Sequence, residues 1–132
     1  MTRILGIDFG TKRLGLAFGD SATSVAAPLE TIELNGADPV KLVCEIIERD
    51  GYDYVVVGAP METNSRVRAT VLTFATRLEK MSGVQVSLVD EHLTSKMADI
   101  IAKEHGGREH DDALAAALIV EAFLNNVNNL NA

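Results

Sequence analysis

Apolar and polar positions divide the chain into short hydrophobic runs bounded by turn residues, then into longer segments in which apolar residues recur at helical spacing. Ile4, Leu5 and Ile7 form the first run. Asp8 interrupts it, and Gly10-Thr11-Lys12-Arg13 has the turn chemistry to reverse the chain into Leu14 to Phe18. This predicts a hairpin with a carboxylate inside its first strand. From Ala26 to Leu34 a third strand is expected, in which Leu29, Thr31 and Glu33 alternate imperfectly with Glu30, Ile32 and Leu34, and Asn35-Gly36-Ala37 ends it.

Asp38-Pro39 then supplies an N-cap followed by proline at the first helical position. Val40, Val43, Cys44 and Ile47 follow at helical spacing, and Asp50-Gly51 stops that helix. The β-branched run Tyr54-Val55-Val56-Val57-Gly58 suits a strand covered on both faces. After a polar connection from Ala59 to Ser65, a second helix begins at Arg66. Val67, Val71, Phe74, Leu78 and Met81 mark its apolar face, and Ser82-Gly83 ends it. Val84, Val86, Leu88 and Val89 form a further strand running into Asp90-Glu91-His92. Thr94 can cap a third helix carrying Met97, Ile100 and Ile101, which Gly106-Gly107 breaks. Asp111-Asp112 opens a last helix that is apolar almost all round from Ala113 to Leu124, so it should lie deep against the sheet. Residues 125–132 read as a frayed tail. Three strands at hairpin spacing, then alternating strands and helices, predict an α/β fold. The expected sheet has five strands, three early and antiparallel and two later and parallel, with helices on both faces.

Length and composition narrow the class. A chain of 132 residues is one ordinary domain, spanning 1–132, long enough to bury about two-thirds of its unfolded surface. It has no signal-like leader and no apolar run long enough for a bilayer, which makes a cytoplasmic protein without a membrane partner the expectation. Cys44 is the single cysteine, at an apolar helical position, and reads as a core thiol rather than a nucleophile. A net charge of -7 argues against binding nucleic acid by bulk electrostatics. Local patches remain: Lys12-Arg13 and Arg66-Val67-Arg68 are the tight basic pairs, each of which is otherwise an ordinary solvated surface.

Three acidic features fall where functional groups gather in such a sheet. Asp8 lies late in the first strand, Glu91 follows the last strand, and Asp112 starts the final helix. The crevice outside the carboxyl ends of strands is the usual binding site in open α/β sheets. Carboxylates gathered there repel one another unless a cation lies between them. Mg²⁺ or Mn²⁺ suits an all-oxygen donor set, and a pair of such ions about 4 Å apart can activate water and stabilise a leaving oxygen in phosphodiester hydrolysis. Zinc fits less well, because Cys44, His92, His105 and His110 lack a zinc spacing. Taken singly, Asp8 could cap its own turn, Glu91 could be a solvated loop acid, and Asp112 could simply favour a helix start.

The opening GIDFGTKRLGLAFGD, with VVVGAP, VDEHLTS and DDALAAALIVEAFL, resembles the YqgF-like family, also called RuvX, through nearly the whole chain. That resemblance implies an RNase H-like fold. It also implies a nuclease acting on structured nucleic acid: the precursor of small-subunit ribosomal RNA (pre-16S rRNA processing) or, as a Holliday junction resolvase, branched DNA. The family's acidic triad carries over onto Asp8, Glu91 and Asp112, which are thereby the expected catalytic and metal-binding residues, with Asp111 as an alternative or auxiliary acid. Lys12, Arg13, Arg66 and Arg68 would position phosphates, and a homodimer would suit a two-fold junction. Three features depart from the family pattern. His92 stands where arginine usually follows the acidic pair, making a nearby cation pH-dependent. The loop after Gly58 is short and lacks a glycine-rich segment, and residues 105–110 lack the lysines many relatives carry. Two other readings compete: a nucleotide-binding domain of the actin/Hsp70 type, suggested by the Gly-x-Asp-x-Gly-Thr opening, and a catalytically silent binding module on the same fold.

Overall fold

The computed structural model describes residues 2–60, 65–90 and 112–130, with side chains as far as Asn125. Five strands form one sheet: β1 (Arg3–Phe9), β2 (Arg13–Asp20), β3 (Val25–Glu33), β4 (Tyr54–Ala59) and β5 (Gln85–Asp90). Their order is β3-β2-β1-β4-β5. The first three pair antiparallel, whereas β4 pairs parallel with both β1 and β5. Three helices belong to the described residues, α1 (Pro39–Asp50), α2 (Arg66–Ser82) and α3 (Asp112–Leu130). The helix expected after Thr94 lies outside them.

Strand alternation divides the sheet into two faces. Leu5 and Ile7 of β1, Leu14 and Leu16 of β2, and Val55 and Val57 of β4 point to the face covered by α1 and α2. Ile4, Ala17 and Val56 point to the other, where Ala116, Ala117, Ile119, Val120 and Leu124 of α3 meet them. Leu5, Ile7, Val55 and Val57 are wholly buried. Each such side chain contributes about 1.5–3 kcal/mol relative to exposure. Helices therefore cover both faces, as the pattern of strands and helices predicts.

Local signals set the boundaries of α1 and α2. The Asp38 carboxylate accepts from the Val40 amide at 3.1 Å, Pro39 opens α1, and Gly51 closes it with φ 71°. Ser65 accepts from the Arg68 amide at 3.2 Å to cap α2, and Gly83 ends that helix with φ 74°. The apolar face of α2 differs from expectation: Val71, Phe74, Ala75 and Leu78 are buried, but Val67 and Met81 are 56% and 59% exposed. Length explains this. A helix of 17 residues spans about 26 Å, while the strands of 6 residues beneath it span about 20 Å, so its first and last turns overhang.

The imperfect alternation of the third strand also has a structural cause. Leu16 pairs with Glu30 but Ala17 pairs with Pro28, so Leu29 is an extra, half-exposed residue in a bulge. The strand then turns through Asn35 (φ 47°) and Gly36 (φ 85°), and the Ala37 amide donates to the Leu34 carbonyl at 2.8 Å. Positive φ at both central residues is the type I′ pattern. Helix α3 continues past Leu124 into the asparagine-rich stretch as far as Leu130. Cys44 is partly buried against the core under α1, and burial raises its thiol pKa, with Asp38 adding to the effect.

Candidate active site

Strands β1, β4 and β5 run parallel and end at Phe9, Ala59 and Asp90, so their carboxyl ends share one edge of the sheet. Asp8 lies beside that edge. Counting by twos from Ile4, it is on the face covered by α3. Its antiparallel partner across the hairpin is Gly15. Asp112 is the first residue of α3, where a carboxylate is favoured by the positive end of the helix dipole.

Glycines bring Asp112 to Asp8. A Cβ on Gly15 would fall 1.9 Å from the Asp112 carbonyl oxygen and 2.8 Å from its Cβ. Only a residue without a side chain lets the start of α3 settle this close to the strand partner of Asp8. Further along the helix, a Cβ on Gly6 would fall 2.2 Å from Val120 Cγ2, and one on Gly19 would fall 2.4 Å from Val120 Cγ1. Gly15, Ala17 and Gly19 alternate along β2 and form a low strip beneath the alanines of α3. The sequence reading assigned no role to this strip, although small residues at alternate strand positions opposite an alanine-rich helix are a visible sign of close approach.

Asp8 and Asp112 line one shallow pocket of about 240 Å³ together with Phe9, Gly10, Thr11, Lys12 and Arg13. The hairpin turn forming one side is fixed by backbone bonds on both flanks. The Gly10 amide donates to the Arg13 carbonyl at 3.0 Å, and the Leu34 amide donates to the Lys12 carbonyl at 2.9 Å. Arg13 Nε lies 3.0 Å from Asp112 Oδ2. A second recess of about 400 Å³ shares Thr11, Lys12 and Arg13 and continues along Glu33, Leu34, Asn35 and Gly36. The turn thus carries its two cations between two openings.

Four of the expected site residues therefore meet at one pocket: Asp8, Lys12, Arg13 and Asp112. Arg66 and Arg68 are elsewhere, in the first turn of α2 following β4. Arg66 is exposed, and Arg68 donates from NH1 to the Pro60 carbonyl at 2.9 Å, tying the helix to the end of β4. Glu91, His92 and Asp111 lie outside the described residues. The donor atoms that Asp8 and Asp112 offer are carboxylate oxygens, which fit a hard divalent cation such as Mg²⁺ or Mn²⁺.

The model of the family described as "RuvX: Holliday junction resolvase" matches residues 2–126. This chain belongs to the RuvX family. Among curated relatives, a Rickettsia rickettsii protein named "Putative pre-16S rRNA nuclease" is 33% identical over 136 residues, covering 96% of this chain and 88% of the relative. A Rickettsia typhi protein of the same name is 34% identical over 137 residues, covering 97% and 88%. Two solved structures share the RNase H-like fold of this RuvX chain. Thermus thermophilus RuvC, solved in complex with a Holliday junction substrate, superposes with TM-score 0.61 at 18% identity over 97% of this chain and 96% of its own. Fowlpox virus resolvase, in complex with Holliday junction DNA, gives 0.63 at 12% identity over 96% and 99%.

Proposed function

We propose that this RuvX protein is a divalent-metal nuclease that hydrolyses phosphodiester bonds in structured nucleic acid, with a ribosomal RNA precursor as its substrate class. The observation that carries the reading is the meeting of Asp8 and Asp112 in one pocket beside Lys12 and Arg13. Two carboxylates from opposite ends of the chain, beside two cations, make a site for a metal ion and a phosphate together. The names of the curated relatives favour RNA, while branched DNA remains the alternative substrate.

Asp8 and Asp112 would hold Mg²⁺ or Mn²⁺, with Glu91 as the third acid and Asp111 in reserve, and the metal would supply water activation and stabilisation of the leaving oxygen. The chain's own residues do the rest. Lys12 and Arg13 are carried on a turn whose backbone is hydrogen-bonded on both sides, so their charges are presented to a phosphate at the rim of the acid pocket. Arg66, exposed at the start of α2, extends the positive surface along the flanking nucleic acid. His92 adds a charge that rises as pH falls.

Cleavage of end-labelled RNA hairpins and four-way DNA junctions, with Mg²⁺ or Mn²⁺ at low salt, tests this reading beside the Asp8→Asn variant. The parent should cut and the variant should not, with both melting alike. Equal cutting by Asp8→Asn would remove the site from consideration. The substrate cut faster decides between RNA and branched DNA.

A further inference from the structure

Arg13 faces two ways. It lines the pocket as a cation available to phosphate, yet its Nε lies 3.0 Å from Oδ2 of Asp112, an expected metal ligand. We infer that Arg13 is a placeholder cation, which holds the Asp112 carboxylate until a divalent ion takes that oxygen, and is then released to the phosphate in the same pocket. The inference rests on the metal-nuclease reading above and deepens it.

Three observations support an exchange rather than a fixed ion pair. First, the partners differ in freedom: the Arg13 side chain is 60% exposed, and that of Asp112 is 16% exposed. Asp112 is also anchored by its position at the start of α3, over Gly15. Second, the Arg13 backbone is fixed, since its carbonyl accepts from Gly10 and its neighbour's carbonyl accepts from Leu34. Release therefore needs only a rotamer change of an exposed side chain. Third, Asp8 and Asp112 line one pocket, where a cation lowers the repulsion between like charges. The Arg13 guanidinium, bound to Asp112, is such a cation. A carboxylate oxygen engaged by a guanidinium is a poorer metal ligand, so the two cations compete for it. A pair whose cation is exposed to solvent is weak enough to give way, and its removal corresponds to about a two- to fivefold change in affinity.

Calorimetric titration of the full chain with Mn²⁺ tests the exchange, using the parent, Arg13→Gln, Arg13→Lys, Lys12→Gln and Asp8→Asn. Arg13→Gln should bind Mn²⁺ about two- to fivefold more tightly than the parent, because the competitor is gone. Arg13→Lys, which keeps a charge able to reach the same carboxylate, should stay near the parent. Lys12→Gln removes the same charge from the same turn and should change the affinity less than Arg13→Gln does. Equal tightening by Arg13→Gln and Lys12→Gln would reduce the effect to general charge and overturn the exchange. Unchanged or weaker binding by Arg13→Gln would overturn it too, while leaving the metal site intact. If the parent binds no Mn²⁺, or Asp8→Asn binds it as the parent does, the metal reading itself fails and the exchange falls with it.

Discussion

Gly15→Ala is the most informative single change, because it adds one methyl group at the point where α3 meets the partner of Asp8. The new Cβ would stand 1.9 Å from the Asp112 carbonyl oxygen and 2.2 Å from its carbonyl carbon. Contacts under 3.0 Å are essentially never seen for a real Cβ, so the backbone at Asp112 must retreat by about 1 Å. The obstructing atoms are main chain, at a helix start that cannot rotate away as a side-chain tip could. Further down, Val120 is seated over Gly6 and Gly19, so lifting one end of α3 levers the rest against that contact. Overpacking of this kind costs about 1–3 kcal/mol. For a chain of this size the melting temperature should fall by roughly 3–15 °C. On the proposed metal-nuclease reading, a displacement of about 1 Å at Asp112 costs on the order of a hundredfold in rate. The assay pairs thermal unfolding with cleavage of the preferred substrate, using Gly19→Ala as comparison. Gly19→Ala meets only side-chain atoms, with Val120 Cγ1 nearest at 2.4 Å and about two helical turns beyond Asp112, and should lose stability with a smaller loss of rate. If Gly15→Ala melts and cuts like the parent, the close approach of helix to strand does not position Asp112.

Arg66 and Arg68 should separate by assay. Arg68→Ala loses the bond to the Pro60 carbonyl and should cost about 1 kcal/mol in a melting experiment. Arg66→Ala should leave melting unchanged, weaken nucleic-acid binding, and reduce the slope of log affinity against log salt by about 1. Cys44, whose thiol pKa is pushed up by burial and by Asp38, should react with a disulfide reagent at pH 8 more slowly in the folded protein than in denaturant. Equal rates in the two states would show that neither influence operates.

Much of the fold was legible because local chemistry decides it. Asp38-Pro39 and Gly51 bound α1 as read, and the β-branched run at Tyr54 became β4 with its neighbours in parallel. What escaped depends on relations between distant segments. No periodicity within α2 shows that Val67 and Met81 overhang, because that follows from the shorter strands beneath. The bulge at Leu29 appears only when the register with β2 is known. At the site, Asp8, Lys12, Arg13 and Asp112 could be chosen by residue type and by likeness to the family. The pairing of Arg13 with Asp112 could not, since nothing between residues 13 and 112 in the sequence specifies it. Gly6, Gly15 and Gly19 were visible, but their role required knowing which helix lies on them.

The pairing of β1 with β4 and the docking of α3 have a consequence for the moment at which activity arises. The three-stranded antiparallel unit pairs neighbours in sequence, so its contacts are local and early in the chain. Asp8 belongs to that unit, but Asp112 arrives on the last helix, carried down by Ile119, Val120 and Leu124. During synthesis from the N-terminus, the pocket has no second wall until those residues leave the ribosome. A chain still being translated therefore carries Asp8 without Asp112, and the pocket the two share forms only once the last helix has docked.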